Sequence, residues 1–277
     1  MIRVDLHTHC SCSHGANSVR EMFAAGREKG LSIQGFSEHS PRPRGYDYPT
    51  EYRDRLNALY PGHVREVREL AAEQAALPDG SLVLLGLELD WLEDETAFMA
   101  DVVRAWPYDY IIGGIHFLGH WGFDWSADEW APLGAEERAA LYERYYRTMT
   151  RMARSGLFHI VAHPDLIKIF SVDSFHAWLE RPGSLDLVAE ALTAARDAGM
   201  AMEISSAGLR KPCREIYPGP AILRLAADLR LPVTFASDAH RVDDVAAAFD
   251  VLARYAAGAG YTESLVFQGD EIRRIPF

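Results

Sequence analysis

The sequence of 277 residues has few cysteines and no long apolar run. Its three cysteines cannot all pair with one another, so we expect a reduced, cytoplasmic protein rather than a disulfide scaffold. No apolar stretch approaches the roughly 20 residues that a membrane-spanning helix needs. Met1 leads directly into the strand-like segment IRVDL, and we expect no secretion signal. A secreted or membrane-spanning protein is therefore not expected.

Positive charge is also scarce, because 40 acidic residues face 28 basic ones and give a formal net charge of -12. This excess would repel a phosphate backbone, so we expect no long nucleic acid and no membrane as partner. Linker-like, low-complexity and repeated segments are not evident. With 48% hydrophobic and 25% charged residues, the chain has a globular composition, and residues 1–277 are predicted to form one domain.

Short apolar, β-branched stretches alternate with amphipathic helical segments, which is typical of βα units around a parallel sheet. Ser18 and Glu21 form a capping-box pattern at the start of the first predicted helix. Strands are predicted near residues 2–6, 31–36, 82–89, 108–115, 157–162, 200–205 and 232–236, with 264–268 as a weaker eighth. Further helices are predicted near 51–76, 135–155, 184–198, 219–230 and 242–257.

Two loops, residues 37–52 and 116–134, are longer than a simple connection requires and are rich in proline, glycine and aromatic residues. Loops of this length are often functional, so they are predicted either to wall a pocket or to pack down on the sheet.

Histidines and carboxylates recur at the ends of the predicted strands. In an extended strand alternate side chains share a face, so His7 and His9 project to the same side. His14 lies at the turn that follows. The other members of this pattern, at or just after later strands, are His39, Glu88, His116, His163, Asp238 and His240. Because the carboxyl ends of the strands of a parallel barrel meet on one face, these side chains are predicted to form one cluster.

Some neighbouring residues compete for places in this cluster. Asp90 shares a face with Glu88, but Glu88 is preferred as the nearer to the predicted strand end. His159 lies four residues before His163, and His163 is preferred because it follows its strand. The remaining histidines, His63, His120 and His176, are predicted to be ordinary surface or loop residues.

Imidazole and carboxylate ligands suit Zn, Mn or Fe. The predicted set is too large for one tetrahedral ion, so two or three divalent or trivalent ions sharing bridging carboxylates are the simpler hypothesis. A rival hypothesis places Cys10 and Cys12 with histidines in a closed structural zinc site. It leaves the other strand-end ligands unexplained, and Cys10, Cys12 and Cys213 are predicted to be small buried residues instead.

The ordered set of motifs resembles the PHP superfamily (polymerase and histidinol phosphatase) and, within it, the histidinol-phosphate phosphatases. The matching stretches span residues 5 to 241 and are DLHTHCSCSHG, GFSEHSP, GLELDWL, YIIGGIHFLGH, FHIVAHPDLIKIF, EISSAGLRKPCREIYPGP and FASDAHR. The resemblance implies a distorted TIM-like (β/α)7 barrel with a trinuclear metal site. Ser205 and Ser206 stand where related phosphatases often carry Asn-Thr.

The resemblance also implies how three ions would be held. One would be bound by His7, His9, Glu88 and Asp238, the second by Glu88, His116 and His163, and the third by His14, His39 and His240. The implied activity is hydrolysis of L-histidinol phosphate in histidine biosynthesis, through a hydroxide whose parent water is activated by the metal ions.

Other residues are candidates for handling the substrate, a small phosphate ester. Asp238 and His240 are candidate catalytic groups that assist the leaving alkoxide. Lys168 and Arg210 follow the fifth and sixth strands and are predicted to bind phosphoryl oxygens, with surface ion pairs as the alternative. Lys211 is predicted to be a surface residue. The groups that receive the amine and imidazole stay open among Glu203, Asp165, Phe117 and Trp121.

Two other functions remain open at this point. One is a PHP-type phosphoesterase that acts on another small phosphate ester or on a short oligonucleotide. The other, from a different class, is a non-catalytic metal-binding protein, which predicts missing ligands. None of the expected ligands is missing from the sequence.

Overall fold

The computed structural model describes residues 1–48, 50–78 and 80–277 and contains a seven-stranded parallel sheet. The strands in chain order are β1 Val4–Asp5, β2 Ile33–Phe36, β3 Leu82–Asp90, β4 Tyr110–Gly114, β5 Phe117–Leu118, β6 Trp121–Gly122, β7 Ile160–Val161, β8 Ala201–Ser205, β9 Val233–Ala236, β10 Glu263–Gln268 and β11 Glu271–Pro276. The large sheet has the order β1-β2-β3-β4-β7-β8-β9. All of its neighbouring strands are parallel.

The two outer strands of this sheet meet and nearly close it into a barrel. The Leu6 N–H donates to the carbonyl of Phe235 at 3.2 Å, and the His9 N–H donates to that of Ala239 at 2.8 Å. Thr8 forms a parallel bridge with Ala239. The predicted (β/α)7 barrel is confirmed, whereas the single-domain assignment for residues 1–277 stays a prediction.

Helices cover the outside of the barrel. They are α1 Val19–Glu28, α2 Thr50–Ala75, α3 Thr96–Ala105, α4 Ala135–Arg154, α5 Val172–Leu179, α6 Ser184–Asp197, α7 Pro220–Asp228 and α8 Phe249–Gly258. The capping box of Ser18 and Glu21 is present at α1. No helix in the described ranges combines the length and apolarity that crossing a membrane demands.

The helix predictions were incomplete in two ways. The short helices α3 and α5 were not predicted. The predicted helix 242–257 begins only at Phe249, because Ala246 and Ala248 adopt positive φ angles of 50° and 57°. The Ala246 N–H donates to the carboxylate of Asp5 at 3.2 Å, which holds this segment outside a helix.

The predicted eighth strand exists but lies outside the barrel. It is β10, which pairs with β11 in an antiparallel hairpin that the sequence pattern did not indicate. Leu265, Val266 and Phe267 pack in one apolar cluster with Val4, Ile33 and other residues at the beginnings of the barrel strands. The hairpin therefore closes the amino-terminal mouth of the barrel, and the carboxyl-terminal mouth is left for the site.

Inside the barrel, one tyrosine packs against two strands where glycines leave room for it. The Tyr110 hydroxyl donates to the carbonyl of Leu6 at 2.5 Å. A Cβ atom at Gly35 or at Gly86 would overlap the Tyr110 side chain. The ring can occupy this position only because β2 and β3 each have a glycine, without a side chain, at the point of contact.

We expect Gly35→Ala to lower the free energy of unfolding by about 1–3 kcal/mol, because the added methyl group forces Tyr110 out of its packed position. Urea denaturation followed by circular dichroism measures this change. The matched control is Gly258→Ala at the exposed end of α8, where a Cβ meets no atom within 4 Å. Equal unfolding midpoints for the two variants would contradict the packing argument.

Candidate metal centre

The carboxylate of Glu88, near the end of β3, lies among five imidazoles. Glu88 is 1% exposed, so its charge has almost no contact with solvent. Its Oε2 lies 2.8 Å from His39 Nδ1, 3.3 Å from His7 Nε2 and 3.5 Å from His9 Nε2, and its Oε1 lies 3.1 Å from His163 Nε2 and 3.4 Å from His116 Nε2. These histidines come from four different strand ends, which the parallel barrel brings together.

The HxH segment after β1 supplies two of these imidazoles, as the alternation of side chains predicts. The ring centroids of His7 and His9 lie 5.0 Å apart. Asp238, which follows β9, reaches the same place, with its Oδ1 3.3 Å from His9 Nε2 and 3.9 Å from His7 Nε2. Asp238 has a positive φ of 49°, an unusual backbone conformation for a residue with a side chain.

Three further carboxylates hold the opposite edges of these rings. The Nδ1 atom lies 2.7 Å from Glu203 in His7, 3.0 Å from Glu38 in His9 and 2.6 Å from Asp90 in His116. A carboxylate can only accept a hydrogen bond, so each Nδ1 carries the proton and each Nε2 presents its lone pair to the cluster. Such carboxylate–histidine pairs are typical of metal-binding imidazoles.

The carboxylates that accept from these Nδ1 atoms are themselves held by further hydrogen bonds. Asp90 also accepts from Arg42 Nε at 2.6 Å and from Arg42 Nη2 at 3.3 Å. Glu38 accepts from the Cys10 backbone N–H at 3.0 Å and from the Ser13 hydroxyl. Each ring orientation is thus fixed by a network of buried hydrogen bonds rather than by a single contact.

The cluster has a strong preference for positive charge. Burial opposes charging of His7, but the carboxylates of Glu203 and Glu88 outweigh it and raise the pKa of His7 well above its usual value. For His9, burial is likewise outweighed by the nearby carboxylates of Asp238 and Glu38, and its pKa rises to about 9. Burial of Glu88 is outweighed by the surrounding imidazoles, which lower its pKa far below the usual range.

Several buried nitrogen and oxygen atoms of the cluster lack hydrogen-bond partners, as expected of metal-binding atoms. The buried Nε2 atoms of His7, His9 and His240 have no hydrogen-bond partner among the described residues, and neither has Oε2 of Glu88. Lone pairs of nitrogen and carboxylate oxygen that face one another at 3.3–3.5 Å repel unless a cation lies between them. The donor set of imidazoles and carboxylates suits Zn, Mn and Fe.

Of four groups of potential ligand atoms among the described residues, three resemble the predicted sets, and the fourth joins Cys10 with Glu38 and His63. Within each of three groups the ligand atoms lie within 4.8 Å of one another. These groups are His7 with His9 and Glu88, Glu88 with His116 and His163, and His9 with His39 and His240. The second matches its predicted set, whereas the first forms without Asp238 and the third contains His9 in place of His14.

His14 lies beside the third group. Its ring centroid is 4.2 Å from that of His240 and 5.0 Å from that of His39, and its Nδ1 lies 3.1 Å from the Tyr52 hydroxyl. Burial and the neighbouring imidazoles lower the pKa of His14, so its ring is neutral near pH 7. Its assignment as a ligand stays a prediction.

The structure resolves the competing histidines. His159 lies at the other end of β7, where its Nδ1 accepts from the Ile111 N–H at 3.0 Å, so His163 is the one that reaches the cluster. The prediction that His63 is a surface or loop residue was wrong, since it is 4% exposed and its Nδ1 lies 3.4 Å from Cys10 Sγ. All three cysteines are buried and free, as predicted.

Above the cluster opens a cavity of about 460 Å³. Both long loops line this cavity, so of the two alternatives that the sequence left open, they form the wall of a pocket. Its lining includes Tyr48 and Tyr52 from residues 37–52, and Asp124 and Trp125 from residues 116–134. The cations in its lining are Arg42 and Lys211. A cavity of this size suits a small molecule.

The predicted phosphate ligands Lys168 and Arg210 do not line this cavity. The Lys168 ammonium is fully buried and bonds to Asp165 at 2.7 Å, Glu215 at 3.0 Å and the carbonyl of Ile216 at 3.2 Å. Two carboxylates and a carbonyl thus surround the ammonium within 3.2 Å and hold it in a buried ion-pair network. The substrate-binding role of Lys168 stays a prediction, and these contacts favour a structural role for its ammonium.

Arg210 supports the backbone that carries Asp238. Its Nη2 donates to the carbonyl of Ser237 at 2.6 Å and lies 3.3 Å from that of Asp238, while Nε lies 3.5 Å from Asp244. Lys211, predicted to be a surface residue, is half-buried and lines the cavity. Burial raises the pKa of Asp238, but the nearby imidazoles and, after them, the charge of Lys211 lower it well below its usual value.

Sequence reasoning missed Glu38 and Arg42 as working parts of the site, and it considered Asp90 only as a rival of Glu88 and Glu203 only as a substrate neighbour. One signal was available: an imidazole that binds a metal through Nε2 needs an acceptor at Nδ1, and buried strand-end carboxylates are the natural acceptors. The expectation that Glu88 lies closer than Asp90 to the strand end was also wrong, because β3 continues to Asp90.

Comparisons with known proteins agree with this geometry. A family model described as "PHP domain" matches residues 5–207. A relative from Deinococcus radiodurans, described as "Probable histidinol-phosphatase", is 36% identical, with 87% of each chain covered. The histidinol-phosphatase of Bacillus subtilis is 29% identical over 90% of this chain and 98% of its own.

A solved structure has the same fold. The histidinol phosphate phosphatase of Lactococcus lactis, crystallised with Zn, L-histidinol and phosphate, superposes with a TM-score of 0.76. It is 19% identical to this chain, and the match covers 98% of both chains.

We expect Glu203→Gln to weaken Zn binding by about 10–100-fold, because the amide still accepts from His7 Nδ1 but no longer makes the imidazole a stronger ligand. Competition of metal-free protein with a coloured chelator measures the affinity. Glu190→Gln is the control, since Glu190 is exposed and pairs only with Arg154 at 3.4 Å. Equal affinities in both variants would contradict the role assigned to Glu203.

Proposed function

Since the chain belongs to the PHP domain family, we propose that it is a metal-dependent phosphomonoesterase that hydrolyses L-histidinol phosphate to L-histidinol and inorganic phosphate. The proposal places the enzyme in histidine biosynthesis, in the cytoplasm, with a small phosphate ester as its partner. The three free, buried cysteines suit a reducing compartment.

One observation carries the proposal: three groups of ligand atoms share Glu88 and His9 and open onto one cavity. A closed structural metal site would leave no access for a substrate. A cluster beside a small-molecule cavity supports catalysis over a passive metal-binding role. The shared name of the two curated relatives supports histidinol phosphate as the substrate.

We assign two or three ions of Zn, Mn or Fe to the cluster. His7, His9, Glu88 and Asp238 would hold one ion, and Glu88, His116 and His163 a second. His39 and His240, with His9 or His14, would hold a third. When bound, such ions lower the pKa of water toward about 7 and offset the charge of the phosphoryl oxygens.

The chain's own cations prepare the cavity for a phosphate dianion. Lys211 lies near Asp238 and His240, and its ammonium is proposed to donate to a phosphoryl oxygen. The Arg42 guanidinium is fixed by two hydrogen bonds to Asp90, so its positive charge is held at the cavity wall without reorganisation. Together they attract the substrate against the net negative charge of the chain.

Asp238 and His240 are better suited to binding a metal ion than to donating a proton. Burial of Asp238 is outweighed by its contacts with the imidazoles of His9 and His240, which lower its pKa well below the usual range. Burial and the charge on His9 lower the pKa of His240 to about 3. At pH 7 neither group holds an easily released proton, so proton donation to the leaving alkoxide by either one stays a prediction.

Phosphate release tests the proposed function directly. We expect the metal-loaded protein to hydrolyse histidinol phosphate faster than glucose phosphate or a dinucleotide, to lose activity on prolonged chelation and to recover it with Zn or Mn. Elemental analysis of each sample shows whether the ions were removed. Equal turnover of the three substrates would contradict the assigned substrate, and full activity of metal-free protein would contradict the metal dependence.

We expect Lys211→Ala to raise the KM for histidinol phosphate by roughly 10-fold or more, because a charge-assisted hydrogen bond to phosphate is lost. Steady-state kinetics measure KM and kcat separately. Arg224→Ala removes an exposed cation from α7 and serves as the control. A KM that is unchanged in Lys211→Ala would remove this residue from the substrate site.

A further inference from the structure

The cavity has two chemically different walls. One wall carries the metal cluster and Lys211, which suit a phosphoryl group. The lining also includes Tyr48, Asp124 and Trp125, a carboxylate beside two stacked aromatic residues. A phosphate would be repelled by Asp124, so this second wall suits a different part of a ligand.

The side chain of Trp125 is exposed although it stacks on another aromatic ring. It is 58% exposed although it stacks on Tyr48, with ring centroids 4.9 Å apart and an interplanar angle of 16°. Other aromatic residues of the same loop, Phe123 and Trp130, are almost fully buried. Tyr48 also stacks on Phe117, with ring centroids 5.4 Å apart, so the free flat surface is that of Trp125, which a bound planar group can cover.

Asp124 is held in place by the same pair. The Tyr48 hydroxyl donates to Asp124 Oδ1. Burial of the phenol and the adjacent Asp124 charge raise the pKa of Tyr48 well above its usual value, so the hydroxyl remains a donor. Within residues 1–48, 50–78 and 80–277, no Lys, Arg or His side chain forms an ion pair with Asp124. An oriented carboxylate without a cation is available to a positively charged ligand group.

We propose that Tyr48, Asp124 and Trp125 form the subsite for the organic end of the substrate, which would be a flat group carrying positive charge. The inference rests on the proposed function, under which that end carries an imidazole and an ammonium group. Asp124, oriented by Tyr48, would accept an N–H of the cationic group, and the ring of Trp125 would cover its flat face.

The two carboxylates that the sequence left open for this task are occupied elsewhere. Glu203 bonds to His7 and to the backbone N–H of His163. Asp165 accepts from Lys168 and from the backbone N–H of Gly219. The carboxylates of Glu203 and Asp165 serve the site's framework, and neither lines the cavity, whereas Asp124 does.

The test compares a cationic ester with an uncharged aromatic ester in Asp124→Asn, a variant that keeps an acceptor for Tyr48. For histidinol phosphate we expect kcat/KM to fall by about 10–100-fold, mainly through KM, because a hydrogen bond to a charged group is lost. For phenyl phosphate we expect a loss at least ten times smaller. Asp128→Asn, an exposed carboxylate of the same loop, is the matched control.

Trp125→Ala separates the stacking contribution from the charge. We expect kcat/KM to fall by roughly 3–30-fold for histidinol phosphate, the range of a desolvated cation–π contact, and to change less for glycerol phosphate, which has no ring. Equal losses on histidinol phosphate and glycerol phosphate would show damage to the whole site and overturn the stacking role of this wall.

Calorimetric binding of histidinol to the metal-loaded protein keeps this test independent of turnover. Weaker binding in Asp124→Asn than in the wild type and in Asp128→Asn supports the subsite, even if the protein releases no phosphate from histidinol phosphate. Weaker histidinol binding in Asp124→Asn together with no phosphate release would refute the proposed function and leave the subsite standing. Equal histidinol binding in all three proteins, or equal losses of kcat/KM on both esters in Asp124→Asn, would overturn the subsite while leaving the phosphatase activity intact.

Discussion

A buried carboxylate surrounded by imidazoles is the constraint on which the site depends. Glu88 lies within 3.5 Å of nitrogen atoms from five histidines, and an anion so removed from water is costly unless positive charge compensates it. In their neutral forms, His7, His9 and His116 carry their one proton on Nδ1, where other carboxylates accept it. Their Nε2 atoms then bring no positive charge to Glu88. Protons or metal ions must do so, and a multinuclear centre meets this demand with the geometry already in place.

The fold makes this concentration of charge possible. Parallel strands deliver their carboxyl ends to one mouth of the barrel, and the β10–β11 hairpin fills the other mouth with Leu265, Val266 and Phe267. The apolar half of the barrel, including Tyr110 packed against Gly35 and Gly86, forms a rigid floor beneath the polar half. Rigidity matters because ligand atoms must stay in place against their mutual repulsion.

Sequence reasoning was most successful where regular geometry decides the outcome. Strand alternation predicted that His7 and His9 converge, and barrel topology predicted that Glu88, His116 and His163 meet. The barrel and its resemblance to a known family were also recoverable from ordered motifs. These features depend on strand direction and parity, which local sequence patterns encode.

Irregular segments were predicted less well. Lys168 and Lys211 both follow barrel strands, but short turns direct the first into a buried ion pair and the second to the cavity. The roles of Glu38 and Asp90 depend on partners far away in sequence. Likewise, α8 begins late because Asp5 holds Ala246, a contact that no local pattern announces.

The walls of the cavity differ in how freely they can change. Residues 37–52 carry His39 and Arg42 together with Tyr48, so a substitution that reshapes this wall also disturbs the cluster. The loop after His116 supplies Asp124 and Trp125 to the cavity and contributes no group to the metal-binding sets found among the described residues. Substitutions within residues 117–134 can therefore change which ester is recognised, in nature or in the laboratory, without altering the groups that bind the metal ions.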